Sequence, residues 1–226
     1  NVVDISEHSQ RYWLLVVKNE LRSERCVNWT VLRARVSFIQ YQEKLMPTNE
    51  KFEIRGINHL ALVCRDMKKT VEFYSGVLGL PLTKTIELPR GAGQHFFFDI
   101  GNGDSLAFFW FPNAAQSQPG ITHAEALVGH GDITSAHASM NHVAFDVPED
   151  KIEEYQRKLK AAGVEITDVV NHDDSETQSS PSITDTTFVR SIYFKDPDGI
   201  LLEFAAWTRD MNEQDVNCEP RSVDHA

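Results

Sequence analysis

The feature that most restricts the fold of this chain is a motif that occurs twice, as INHLAL at residues 57–62 and as MNHVAF at residues 140–145. Each copy is an apolar, β-rich run that opens on an asparagine–histidine pair, so each is predicted to be a buried strand. A helix-like segment follows each copy and ends at a glycine, Gly79 or Gly163. The two glycines are spaced almost as His59 and His142 are, and this agreement predicts a duplicated unit.

Each unit is predicted to fold in the order βαβββ. In the first, the segment RDMKKTVEFYSGVLGL has an N-cap residue at Asp66 and an apolar helical stripe of Val71, Tyr74, Val77 and Leu78. The segments LPLTKTIEL, QHFFFDI and SLAFFWF follow as strands, with a hairpin turn at GNGD. The second unit repeats the order with the helix EDKIEEYQRKLKAAG and the strands VEITDVV, TTFVRSIYF and ILLEFAAW. The fold class is therefore α+β, with two tandem βαβββ modules.

The chain divides into five predicted segments. They are an N-terminal extension (1–50), a first module (51–112), a linker or lid (113–138), a second module (139–207) and a C-terminal tail (208–226). The N-terminal extension is expected to carry little function, because Met46 would be a natural translation start.

Charge and composition narrow the partners. A formal net charge of −11 without a Lys/Arg block argues against nucleic acid. The apolar run YWLLVV is too short to span a bilayer, which argues against a membrane partner. Three widely spaced cysteines, Cys26, Cys64 and Cys218, are expected to be thiols, so the expected location is the cytoplasm. Cys64 is expected to serve as a small buried hydrophobe.

Three side chains on predicted strands carry the chemistry. Side chains alternate along a strand, so His59 and His142 share their faces with small alanines, and Glu203 stands in an otherwise apolar strand. Two imidazoles and one carboxylate can hold a metal as a facial triad that leaves coordination positions open. The alternative is structural: each histidine is a satisfied core residue, and Glu203 pairs with Arg190 or a helix N-terminus.

The segments GINHLALVCRDMKKTVEFYSGVLGLPL, MNHVAFDV and SIYFKDPDGILLEF resemble the vicinal oxygen chelate superfamily, which includes glyoxalase I, extradiol dioxygenases and fosfomycin thiol transferases. The resemblance covers residues 54–207. It implies that the two modules form a cupped mixed sheet with a metal inside the cup. Glyoxalase I-like members have a fourth ligand on the last strand of the first module, where SLAFFWF has none, so the pattern is similar to that of the extradiol dioxygenases.

That resemblance implies a dioxygenase that cleaves a catechol-like or hydroquinone-like ring with O₂ at Fe(II), with Mn(II) or another divalent metal as an alternative, and a homodimer is possible. It also implies that Tyr193, ten residues before Glu203, assists catalysis by hydrogen bonding. A further acid–base histidine is expected in the linker, where His123, His130 and His137 are candidates.

Substrate contacts are predicted on both modules, at Phe96, Phe108 and Trp110 and at Arg190 and Ser191, although core packing would explain the aromatic residues equally well. Thr184 and Thr187 depart from the extradiol pattern. Two alternatives therefore stay open. One is another metal-dependent enzyme of the superfamily, such as a thiol transferase, lyase or isomerase. The other is a metal-free binding or resistance protein.

Overall fold

A computed structural model describes residues 51–221, and the expectations for the N-terminal extension and Cys26 lie outside them. The chain divides into two compact units, of which Asn49–Met211 contains every strand described below. Residues from Asn212 belong to the other unit, where a short 3₁₀ turn, Glu213–Asp215, opens with a capping box at Asn212. No described helix is long and apolar enough to cross a membrane.

The first module has the predicted βαβββ order. Its elements are β1 (His59–Cys64), α1 (Met67–Val71), β2 (Leu82–Glu87), β3 (Gln94–Gly101) and β4 (Asp104–Trp110), with a 3₁₀ turn at Pro89–Gly91. The strands form one mixed sheet in the order β1-β4-β3-β2, in which β1 and β4 are parallel and the other neighbours antiparallel.

The second module repeats this plan with one additional short strand. Its elements are β5 (His142–Asp146), α2 (Ile152–Ala161), β6 (Val170–His172), β7 (Ser179–Ser180), β8 (Val189–Lys195) and β9 (Leu201–Trp207), with a 3₁₀ turn at Glu149–Lys151. The sheet order is β5-β9-β8-β6-β7, again with a parallel first pair. Two mixed sheets with few helices confirm the α+β fold class.

The first helix begins as predicted but continues differently. The Asp66 side chain accepts a hydrogen bond from the Lys69 backbone N–H, as an N-cap residue does. After Val71 the helix widens into a π-helical stretch, Glu72–Val77, which shifts the positions that face the core. Phe73 and Tyr74 are buried, whereas Val77 is exposed, so the predicted stripe is wrong at Val77.

One hydrophobic core joins the two modules. It contains Tyr74, Phe98 and Phe108 from the first module and Ile192 and Leu202 from the second, all fully buried. A free, buried Cys64 also belongs to this core, as expected.

The linker packs against the second module. Ala124 and Leu127 are buried against Tyr193 and Leu201, and Lys195 Nζ donates hydrogen bonds to two backbone carbonyls of the linker. The linker therefore covers part of the sheet face that carries Tyr193.

Candidate metal-binding site

The second module places His142 and Glu203 side by side. Strands β5 and β9 are parallel neighbours, with Ala144 opposite Glu203, so His142 projects from the same face one alternation away. His142 Nε2 lies 3.1 Å from Glu203 Oε2. The imidazole is partly exposed, while the carboxylate is buried. This pair therefore places two polar side chains beside the otherwise apolar strand β9.

The environment of Glu203 keeps its carboxyl group ionised. Burial alone would raise its pKa, but the contact with His142, together with the nearby polar side chains of Ser191 and Tyr193, outweighs burial, and the pKa lies below its ordinary value. The alternative partner, Arg190, is engaged elsewhere. Its guanidinium contacts Glu149 and Glu153 rather than Glu203, and its role as a substrate contact stays a prediction.

His59 lies on the matching position of the first module but makes different contacts. Its ring meets Phe97 edge to face at 5.7 Å between centroids, and β1 exposes the face that carries His59, Ala61 and Val63. Within residues 51–221, no group of three His, Cys, Asp or Glu side chains could hold a metal ion. A single chain thus brings together His142 and Glu203, and His59 lies apart from them.

The strand registers define which residues of the two modules correspond. Phe97 faces Ala107 across β3 and β4, as Tyr193 faces Glu203 across β8 and β9. Ala107 of the first module therefore occupies the position that Glu203 has in the second. The first module therefore has no carboxylate at the position of Glu203.

The donor pair fits a divalent cation. Two ligand atoms bound at about 2.1 Å and at right angles stand about 3.0 Å apart. The 3.1 Å between His142 Nε2 and Glu203 Oε2 is the length of a direct hydrogen bond, and a cation bound by both atoms would need little change in their separation. Ser191 Oγ, beside the carboxylate, is buried and forms no hydrogen bond of acceptable geometry with the protein. An orphaned buried hydroxyl is uncommon in folded proteins and is consistent with a missing polar ligand.

Tyr193 adds a phenol to this spot. Burial, followed by the Glu203 charge, raises the pKa of Tyr193, so the hydroxyl keeps its proton at neutral pH. His172 Nε2 lies 2.9 Å from that hydroxyl, and burial lowers the pKa of His172. Sequence reasoning missed His172 because β6 is only three residues long and the segment is polar on both sides.

Two asparagines were also missed, although the repeated motif contains them. Asn58 Oδ1 lies 2.8 Å from His59 Nδ1, and Asn141 Oδ1 lies 2.9 Å from His142 Nδ1. Their repetition before each histidine is the signal that could have found them.

Several predicted contacts lie elsewhere. Phe108 is fully buried, and Phe96 and Trp110 pack against the same core, so these aromatic residues face away from His59, which favours the alternative that they serve core packing. Phe97 and Phe109 occupy the His59 side instead. The linker histidines also differ from one another. His123 is buried with its ring against Gly199, whereas His130 and His137 are exposed.

Comparison with known proteins identifies the family. A model described as "Glyoxalase/Bleomycin resistance protein/Dioxygenase superfamily" matches residues 56–204. A metallothiol transferase, FosB of Lysinibacillus sphaericus (strain C3-41), is 29% identical over 155 residues, which cover 69% of this chain and 84% of the relative. A putative ring-cleaving dioxygenase, MhqE of Bacillus subtilis (strain 168), is 28% identical over 115 residues, covering 49% of this chain and 33% of the relative.

Among solved structures, the fosfomycin resistance protein FosX from Listeria monocytogenes aligns with a TM-score of 0.44 and 22% identity, covering 69% of this chain and 95% of FosX. The family-model match extends over most of both modules. The chain belongs to the glyoxalase/bleomycin resistance protein/dioxygenase superfamily.

Proposed function

We propose that this protein is a metal-dependent enzyme whose site is completed by two copies of the chain, with His59 from one copy and His142 and Glu203 from the other. The supporting observation is the division of donors within one chain. His142 and Glu203 are already in contact, while His59 stands on an exposed strand face of the other module. Strand β5 is also exposed on the face that bears His142.

In a pair of copies related by a twofold axis, the exposed face of β1 with His59 in one copy could pack against the exposed face of β5 with His142 in the other. In such an interface each surface meets its counterpart twice, so two equivalent sites form. Each site would hold a divalent cation, such as Mn(II) or Fe(II), on two imidazoles and one carboxylate. This arrangement removes the requirement that three strands of a single chain converge.

The reaction that we propose is the addition of a nucleophile, such as a thiol, to a small electrophilic substrate. The relative named as a metallothiol transferase aligns over most of its length, whereas the dioxygenase aligns over one third. The bound cation would act as a Lewis acid that polarises a substrate oxygen. Tyr193, which keeps its proton, can donate a hydrogen bond to an oxygen that gains negative charge.

The basic residues of strand β8 are engaged by other parts of the chain. Arg190 pairs with two glutamates on the opposite face of its strand, and Lys195 binds linker carbonyls. These are the two basic residues of β8, and neither is available to an anion at Glu203. Phe97 lies beside His59 and provides an apolar surface next to the site.

A second candidate is ring cleavage of a catechol-like or hydroquinone-like aromatic with O₂. The similarity to MhqE favours it, as does the placement of Tyr193 directly opposite Glu203. It differs from the first candidate in a measurable way, because only ring cleavage consumes O₂.

The test is reconstitution of metal-free protein with Mn(II) or anaerobic Fe(II), followed by two substrate panels. One panel pairs epoxides with low-molecular-weight thiols and follows thiol loss, and the other presents catechols and follows O₂ uptake. The expected result is about one metal per chain and thiol loss that His142→Ala abolishes. The matched control is His130→Ala, which removes an exposed linker histidine. O₂ uptake without thiol loss would favour the dioxygenase, and failure to bind metal would refute both.

A further inference from the structure

Each of the two candidate ligand histidines has an asparagine as the partner of its Nδ1, the ring nitrogen that faces away from the proposed cation. His59 Nδ1 and His142 Nδ1 each lie within 2.9 Å of the side-chain oxygen of the preceding asparagine. The same contact thus forms independently in both modules, at the start of strands β1 and β5. If the contact had no role, the same pair of atoms would not be expected in both modules.

A neutral imidazole carries one proton, and its position decides which nitrogen can bind a metal. An amide oxygen accepts a hydrogen bond from Nδ1–H, which leaves the Nε2 lone pair free and fixes the plane of the ring. In the second module, His142 Nε2 is indeed the nitrogen that faces Glu203. Partners of this kind orient metal-binding histidines and raise their basicity.

We infer that Asn58 and Asn141 are positioning residues, which accept a hydrogen bond from Nδ1–H and direct Nε2 toward the cation. His59 is held as the Nδ1–H tautomer in the metal-free protein as well, whereas His142 Nε2 gives up its hydrogen bond to Glu203 when the cation binds. The inference rests on the proposed function for the identity of the ligand, but the tautomer is a property of the protein alone. This role explains why an asparagine directly precedes the histidine in both copies of the motif.

The two asparagines differ in how they are held. Asn141 Nδ2 also donates hydrogen bonds to the Ile133 carbonyl at 2.7 Å and to Ser135 Oγ at 3.3 Å. Asn141 therefore connects the end of the linker to the ligand histidine. Asn58 is exposed, and its backbone carbonyl accepts a hydrogen bond from the Ser105 N–H of the neighbouring strand. Substitution of Asn58 should therefore leave the fold intact.

The first experiment measures the tautomer without metal. Long-range ¹H–¹⁵N correlation spectra at pH 9, above the ordinary histidine pKa of about 6.5, distinguish Nδ1–H from Nε2–H rings. We expect His59 to be Nδ1–H in the wild type and in Asn58→Asp, which keeps an oxygen acceptor, and to shift toward Nε2–H in Asn58→Leu. An identical tautomer in all three proteins would overturn the inference.

The second experiment titrates metal-free protein with Mn(II). Asn58→Leu should weaken binding roughly 10- to 100-fold with an unchanged melting temperature, and Asn58→Asp should restore affinity to within about threefold of wild type. Asn141→Leu should weaken binding similarly and also lower the melting temperature, because it frees the linker. Wild-type affinity in both leucine variants would refute the inference. A wild type that binds no metal would instead refute the proposed function, while the tautomer experiment would still decide the role of the asparagines.

Discussion

A buried carboxyl group in the turn between β8 and β9 should make stability depend on pH. Asp196 is 6% exposed and accepts three hydrogen bonds, from the Ile200 N–H at 2.8 Å, the Asp198 N–H at 2.9 Å and the Tyr74 hydroxyl at 3.1 Å. Burial is the largest influence and raises the pKa of Asp196 to about 6, from an ordinary value of 3.8.

The direction of the effect follows from proton binding. Because the folded pKa exceeds the unfolded pKa, the folded state binds more protons between about pH 4 and pH 6, and Asp196 makes the fold less stable as pH rises through this window. A difference of about 2 in pKa corresponds to about 3 kcal/mol, which is the full cost once the pH exceeds 6.

Asp196→Asn removes the charge and keeps the contacts, since the amide oxygen can accept both backbone N–H groups and the Tyr74 hydroxyl can accept from the amide nitrogen. Urea unfolding of wild type and variant should agree near pH 4, and by pH 7 the variant should be more stable by up to about 3 kcal/mol. Asp168→Asn, at a side chain that is 99% exposed, is the control and should show no such divergence. A difference between wild type and Asp196→Asn that stays constant from pH 4 to pH 8 would refute the reasoning.

Three other substitutions test individual contacts. Gly93→Ala should cost roughly 3 kcal/mol or more, measured by urea unfolding, because its Cβ would lie 1.9 Å from the Trp110 carbonyl oxygen; a loss below about 1 kcal/mol would contradict the close approach of these two backbone segments. Gly199→Ala should destabilise by at least about 1 kcal/mol and speed proteolysis of the linker, because its Cβ would meet the buried His123 ring at a positive φ. Tyr193→Phe should keep Mn(II) affinity within about threefold but slow turnover roughly 100-fold, and unchanged turnover would remove the phenol from the mechanism.

The repeated motif predicted much of the fold. Alternation along INHLAL and MNHVAF identified two strands whose histidines share a face with alanines, and the glycine spacing related the units. The first helix was less predictable, because a π-helical stretch changes the spacing at which side chains return to the core. A pattern based on ordinary helical periodicity therefore placed Val77 inward.

The predicted aromatic substrate contacts, Phe96, Phe108 and Trp110, lie on the core face of the sheet, which sequence reasoning missed for a different reason. The strands HFFFDI and AFFWF are aromatic at successive positions, so hydrophobicity does not alternate and does not tell one face from the other. Strand register settles the matter, since Phe97 lies beside His59 while Phe108 is in the core. The separation of His59 from His142 was equally hidden, because sequence patterns cannot say which faces of two modules pack against each other within one chain.

Mixing two inactive variants tests the central proposal most directly. His59→Ala and His142→Ala each remove a donor from every site of their own homodimers. If each site draws His59 from one copy and His142 from the other, a mixed dimer has one intact site, and random re-association should restore about one quarter of the wild-type Mn(II) capacity. Titration of the refolded mixture with Mn(II) should recover that fraction at wild-type affinity. No recovery in a mixture shown to contain mixed dimers would contradict a site shared between copies.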